Sequence, residues 1–263
     1  MRKGFLVLFI LILGLLLVVG CEKNSTSVAN QTSKTSLMLY LTDSPATMYD
    51  SVNITFSEVS AHHDSSWITL MDSLMTVNLL DLTNGQTILF GSADVPAGHY
   101  TQIRLKILDA YVVVDGQKQP MTVPSGSTSG LKFGPEFTVS QGSTYQMVVD
   151  FDLHRSIVRM GPRFHPRGYK LKPMIRICPM AITGAISGTI TNPEHLPVAY
   201  AIQNSDTVTS ALPDSTTGYF LLSFMPEGSY LISVRDTLNQ SFEQSDILVT
   251  PGKRNDLGDI TLQ

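Results

Sequence analysis

Few cysteines, a single tryptophan and a low proportion of charged residues narrow what this sequence can encode. The 263 residues include two cysteines, so a framework of several disulfides is excluded. Charged residues make up 15% of the chain and its net charge is −4, whereas nucleic-acid-binding domains are usually basic. The motifs G-x-S-x-G, H-E-x-x-H, C-x-x-C, G-x-G-x-x-G and the P-loop are all absent. We therefore predict no nucleic-acid partner, no cofactor and no enzymatic activity.

The longest apolar run stands at the amino terminus and has the form of an export signal. Arg2 and Lys3 precede an almost unbroken apolar stretch at residues 5–19. Residues 18–21, Val-Val-Gly-Cys, resemble the lipobox of bacterial lipoproteins. The alternative is an uncleaved membrane helix, but the run is at the short limit for a span, which needs about 20 residues, and polar residues follow it at once. Residues 1–20 are therefore predicted to be a lipoprotein signal peptide.

Cys21 is then the first residue of the mature protein and carries the lipid. Two acyl chains hold a protein firmly to a bilayer, because each buried methylene contributes about 0.8 kcal/mol. Glu22 follows, where an Asp would resemble an inner-membrane retention signal. We therefore predict a location in the bacterial cell envelope, at the outer membrane rather than the inner membrane. Residues 21–35 are polar and rich in Ser and Thr, which predicts a flexible tether.

Beyond the tether, alternating patterns that are typical of half-buried strands dominate the sequence. Apolar residues recur at every second position in residues 52–56, 103–107 and 147–151. Such strands bury one face and expose the other to water. Residues 153–160 form the one segment for which we predict helix, of two turns. Many short strands with frequent turns predict an all-β fold.

The larger part of the chain carries motifs that resemble a known bacterial family. Seven motifs follow one another at residues 40–46, 52–54, 96–105, 123–126, 129–132, 150–152 and 168–173. Together they resemble the family known as domain of unknown function 4382. The resemblance implies a β fold and an envelope location, and it implies no activity. We place this domain at residues 36–180.

The remaining part resembles a second family. Its motifs are residues 184–191, 197–198, 217–220, 226–230 and 257–260. They resemble the carboxypeptidase regulatory-like domain, a transthyretin-like β-sandwich that usually serves as a non-catalytic spacer or binding module. We place it at residues 184–263. The predicted fold class is thus all-β, with two β-sandwich-type domains in tandem after the signal peptide and tether.

Two carboxylates are the candidates for chemistry. Asp150 and Asp152 stand two residues apart on one predicted strand, so their side chains share a face about 7 Å apart. That pair suits a calcium ion or acid–base work, with Asp43 as a third acid, although a calcium site needs several more oxygen ligands. A solvated strand edge or a structural partner for nearby arginines is the alternative that we prefer. His62 and His63 are predicted to lie in a polar turn and not to share a metal ion.

Charge is segregated along the chain. Residues 22–152 carry thirteen acidic and six basic residues, and residues 194–263 carry nine acidic and three basic ones. Residues 153–193 carry seven basic residues and no acidic one: Arg155, Arg159, Arg163, Arg167, Lys170, Lys172 and Arg176. This basic segment can bind an anionic glycan, lipid headgroups or an acidic partner. The alternative is that the arginines pair with acidic residues of the same chain.

The prediction for function is a lipid-anchored, non-catalytic binding or scaffolding module. Its partners are the membrane, through the lipid, and an envelope glycan or another envelope protein. Two alternatives stay open. One is a glycan-binding protein, in which Trp67 would be an exposed stacking platform. The other is a lipid-anchored hydrolase that uses Asp150 and Asp152.

Overall fold

The computed structural model describes residues 34–44, 49–123, 129–162 and 167–263. Their regular secondary structure is almost entirely β-strand, as the sequence predicts. The signal peptide, Cys21 and all but the end of the tether lie outside the described residues. The strands of the first part are β1 (Ser36–Ser44), β2 (Ser51–His63), β3 (Ser66–Met71), β4 (Met75–Asn78), β5 (Ile88–Asp94), β6 (Gly98–Val114), β7 (Gln117–Thr122), β8 (Leu131–Phe133), β9 (Phe137–Val139), β10 (Thr144–Asp152), β11 (Ile157–Met160), β12 (Gly168–Leu171) and β13 (Ile175–Pro179).

Two sheets make up this first part. One has the strand order β13-β10-β1-β5, and β1 runs parallel to β10. The other has the order β11-β12-β7-β6-β2-β3, with β4 added to β2 and with β8 and β9 added to β6. Apolar residues from both sheets form one buried cluster, which we call the first core. Leu39 and Val149 come from one sheet and Phe56 and Leu105 from the other, so the arrangement is a β-sandwich.

The second part is also a pair of sheets. Its strands are β14 (Thr183–Ile190), β15 (Val198–Gln203), β16 (Asp206–Ala211), β17 (Tyr219–Pro226), β18 (Gly228–Arg235), β19 (Ser241–Val249) and β20 (Arg254–Ile260). One sheet has the order β17-β14-β20 and the other β16-β15-β18-β19. Ile186 and Phe220 from the first and Tyr230 and Val234 from the second are buried together in a separate cluster, the second core.

The alternating pattern correctly predicts which face is buried in β2 and β6, and it is wrong for β10. In β2, Val52, Ile54 and Phe56 are buried while the residues between them are partly exposed. In β10, every residue from Met147 to Asp152 is buried, including the face that the alternating pattern predicts to be wet. The reason is that the second part covers this face, since the Cys178 thiol of β13 beside it lies 3.7 Å from the Phe224 carbonyl.

The helix predicted at residues 153–160 is shorter than expected. The structure has one helical turn, α1 (Leu153–Ser156), and the chain then continues as β11, which pairs with β12. Cross-strand hydrogen bonds to β12 replace the second helical turn. None of the helical segments in the described part of the chain has the length and apolar character needed to span a bilayer.

Candidate functional site

Asp150, the first candidate acid, is buried in an ion pair. It lies on β10 opposite Arg176 of β13, because the antiparallel register pairs these two residues. The Arg176 Nη2 donates to Asp150 Oδ2 at 2.5 Å, and the two side chains are 22% and 6% exposed. The partly buried guanidinium thus supplies the partner that a buried carboxylate needs.

Arg176 connects the two cores. Its Nη1 donates to the carbonyl oxygen of Phe224 in β17, at 2.6 Å. Burial by itself lowers the pKa of the Arg176 guanidinium, but the Asp150 carboxylate outweighs this effect, and the pKa is raised. Arg176 therefore stays charged and binds Asp150 of the first part and Phe224 of the second part at the same time.

Asp152 and Asp43 stabilise the start of α1. Asp152 Oδ1 accepts from the Arg155 backbone N at 3.0 Å, and its Oδ2 pairs with the Arg155 Nε at 2.6 Å. Asp43 Oδ1 accepts from the Leu153 backbone N at 3.3 Å. Both carboxylates are buried. The three candidate acids thus lie near one another, at the ends of β1 and β10, but each has a structural partner.

The described residues contain no group of three or more His, Cys, Asp or Glu side chains placed to hold a metal ion. The two adjacent histidines are not in a turn as predicted, because β2 continues to His63. His62 packs against Trp67, with ring centroids 4.9 Å apart, and His63 packs against Tyr100 at 4.8 Å. Cys178 is a buried free thiol. Burial raises the pKa of this thiol, the positive charge of Arg176 opposes the rise only in part, and Asp150 adds a smaller increase.

The seven residues of the basic segment fall into groups with different surroundings. Arg155 and Arg176 pair with acidic residues. Within the described ranges, no ion pair is formed by Arg159, Arg167, Lys170 or Lys172. Arg163 lies outside the described residues. The internal pairing considered from the sequence thus accounts for two of the seven, and anion binding by the others stays a prediction.

Two of these basic residues, Arg159 and Lys170, lie on opposite faces of the larger sheet, at the edge formed by β11 and β12. Lys170 is exposed and pairs in register with Val158, whereas Arg159 pairs with the buried Tyr169 on the alternate face. Tyr49 stands edge-on to Tyr169, with ring centroids 6.0 Å apart. Burial and Tyr169 raise the pKa of the Tyr49 hydroxyl, and the positive charge of Arg159 offsets this only in part.

Trp67 is half-buried on the outer face of the larger sheet. The Arg104 guanidinium lies over its ring at 4.2 Å from the centroid, and the Lys132 ammonium lies at 5.6 Å. Arg104 also donates to Glu58 Oε1 at 2.6 Å, and Lys106 donates to Glu58 Oε2 at 2.5 Å. A sugar stacked on the Arg104 side of the ring would have to displace this guanidinium, so the geometry does not favour Trp67 as an open platform.

This charged network was not predicted from the sequence. Glu58, Arg104 and Lys132 are far apart in the chain and meet because β2 pairs with β6 and β6 pairs with β8. A bulge in β2 between Phe56 and Glu58 also changes the register there. An alternating pattern carries no information about which strand lies beside which, so no sequence signal was available to find the network.

Comparison of the sequence with models of known protein families identifies the family to which this chain belongs. The model described as Domain of unknown function (DUF4382) matches residues 34–173. The chain belongs to the DUF4382 family. The matched range covers the three candidate acids and all of the buried residues of the first core except Ile177. No curated protein matches the chain.

Solved structures offer distant likenesses to this DUF4382 protein. The TIE protein of Bacillus anthracis shares 12% identity, with a TM-score of 0.22. The match covers 88% of this chain and 34% of that protein, so this chain spans about a third of its length. GBS52, the minor pilin of the Gram-positive pathogen Streptococcus agalactiae, also shares 12% identity, with a TM-score of 0.23 and coverage of 86% and 94%.

Proposed function

We propose that this chain is a lipid-anchored, non-catalytic binding or scaffolding protein of the bacterial cell envelope. The signal-like residues 1–20, the lipobox-like residues before Cys21 and the polar stretch after it support the anchor. Residues 184–263 resemble the carboxypeptidase regulatory-like domain, and two facing sheets of three and four strands are compatible with a spacer or binding module of that type.

The contact between Arg176, Asp150 and Phe224 is the observation that carries the non-catalytic part of the proposal. The carboxylate best placed for chemistry is ion-paired with Arg176, which also donates through Nη1 to the Phe224 carbonyl of the second part. Asp152 is likewise engaged, by the first turn of α1. Both carboxylates are buried and already bound to partners within the chain, which argues against a role in which either must also contact a substrate.

Replacing Cys21 tests the anchor. The full chain, produced in bacteria supplied with labelled palmitate, is expected to carry label and to begin at Cys21 when its mass is measured. Cys21→Ser removes the acceptor thiol, so the label should be lost. Cys178→Ser is the matched control and should keep the label, because that thiol is buried. Label retained in Cys21→Ser, or a mature chain that still includes residues 1–20, contradicts the proposed anchor.

Replacing Glu22 tests whether the protein is sorted to the outer or to the inner membrane. In a Gram-negative host, the parent chain should sediment with outer-membrane fractions on a density gradient, and Glu22→Asp should move it to inner-membrane fractions. Equal distribution of the two proteins would contradict the outer-membrane part of the proposal and leave the anchor itself intact.

A further inference from the structure

A cleft of about 290 Å³ opens where the two cores meet. Two contacts between the cores involve its lining residues. The Asn84 side chain accepts from the Leu221 backbone N at 3.4 Å and donates to the Leu212 carbonyl at 3.3 Å, and Arg176 donates to the Phe224 carbonyl. The first part contributes Gly85 to the lining, and the second part contributes Thr183, Gly184, Ala185, Leu221, Ser223, Phe224, Gly252, Lys253 and Arg254.

Close packing or a positive φ constrains the backbone at four residues that line the cleft, one of which is Gly252, with φ +68°. Gly85 has φ +80°, and a Cβ there would lie 2.9 Å from Leu221 Cδ2. A Cβ on Gly184 would lie 2.4 Å from the Thr250 carbonyl oxygen, too close to fit. Phe224, which is not a glycine, has φ +52°. A positive φ costs free energy in a residue other than glycine, such as Phe224. Residues with such strained backbone are concentrated at ligand-binding and functional sites.

The charge at the cleft differs from that of its surroundings. Residues 194–263 carry nine acidic and three basic residues. Of the three, Arg235 pairs with Glu243. The other two, Lys253 and Arg254, are adjacent, exposed and lining the cleft, and neither forms an ion pair with any residue that the structure describes. Among the residues that the structure describes, no acidic one lines the cleft.

We propose that this cleft binds a small oxyanion-bearing group of about monosaccharide size. Lys253 and Arg254 supply the positive charge for a carboxylate or a phosphate. Leu221 and Phe224 supply apolar surface for the body of the ligand, and the volume is at the lower end of the range for ligand pockets. The inference rests on the proposed binding role and gives that role a site.

Calorimetric titration of the full chain in detergent micelles tests the site with four probes. Glucuronate and glucose 6-phosphate carry both the oxyanion and the sugar body, glucose carries only the body, and inorganic phosphate only the oxyanion. We expect saturable binding of at least one charged sugar. The affinities for glucose and for inorganic phosphate should be lower by about tenfold or more. The tighter of the two charged sugars identifies the oxyanion.

The variant Lys253→Gln/Arg254→Gln replaces both charges with polar side chains of similar size. It should lower the affinity for the charged sugar by about tenfold or more. Lys34→Gln/Lys118→Gln is the matched control, with the same change in net charge at exposed positions outside the cleft, and should bind as the parent does. The inference is overturned if neither charged sugar binds saturably, if glucose binds equally well, or if the two variants behave alike. Palmitate labelling at Cys21 is independent of all these outcomes.

Discussion

Glu58 holds two basic side chains on the outer face of the larger sheet. Burial by itself raises the pKa of its carboxyl, but hydrogen bonds from Lys106 and Arg104 outweigh that effect, and the pKa is lowered from its ordinary value of 4.5. A carboxyl with a lowered folded-state pKa stabilises the fold at pH values above its unfolded pKa. That stabilisation is lost as the pH falls through the folded-state value.

Glu58→Gln should therefore destabilise the protein by about 1 kcal/mol at pH 7, because it removes two charge-assisted hydrogen bonds that are partly screened by solvent. The difference from the parent should shrink as the pH falls below about 4.5. Urea unfolding across this range measures both effects. Glu243→Gln is the control, since Glu243 pairs with Arg235 at an exposed site and should matter little. A loss that stays constant down to low pH would rule out the ionised carboxylate as its cause.

At the scale of a single element, α1 depends on Asp152, the N-cap residue that precedes it. Asp152 accepts the Arg155 backbone N and also pairs with the Arg155 side chain. Asp152→Ala loses both contacts and should cost about 1–2 kcal/mol, whereas Asp152→Asn keeps a capping acceptor and should cost less than about 1 kcal/mol. Chemical denaturation separates the two variants, with Asp72→Ala at an exposed position as the control. Equal losses in both would show that the ion pair, and not the cap, stabilises the turn.

The strands also show how far the sequence could be read. Alternation predicts the buried face of β2 correctly, because that strand has one face against the first core and one toward solvent. It fails for β10, since a pattern within one strand cannot reveal that a distant part of the chain covers its other face. Asp150 and Asp152 were correctly placed on one strand for the same local reason. Pairing with nearby arginines was one of the expected alternatives, but which arginine pairs with Asp150 was not predictable, because Arg176 meets Asp150 only through the pairing of β10 with β13.

At the scale of the whole molecule, two cores are joined by a small number of directed contacts. Residues 37–177 supply one buried cluster and residues 186–262 the other. Asn84 and Arg176 donate side-chain hydrogen bonds from the first part to backbone groups of the second. Because these bonds are partly buried, we expect them to couple the unfolding of the two cores.

Calorimetric unfolding of the full chain should accordingly show one transition. Asn84→Ala/Asp150→Asn/Arg176→Met removes both contacts without leaving an unpaired buried carboxylate, and should split the transition in two. Arg176→Met alone should cost about 3–5 kcal/mol, since it leaves Asp150 buried without its guanidinium. A single transition in the triple variant, at the temperature of the parent, would mean that other contacts couple the cores.

The parallel pairing of β1 with β10 has a consequence for how the chain folds. Ser36 lies opposite Thr144 and Ser44 opposite Asp152, so about a hundred residues separate the partners. Contacts this distant in sequence slow folding, because a long loop must close before the pairing stabilises it. During synthesis, the edge of β1 that pairs with β10 has no partner for its backbone hydrogen bonds until β10 has emerged. We therefore expect the sheet that contains β1 and β10 to be completed late, after β10 is available, whereas β2 and β6 can pair earlier.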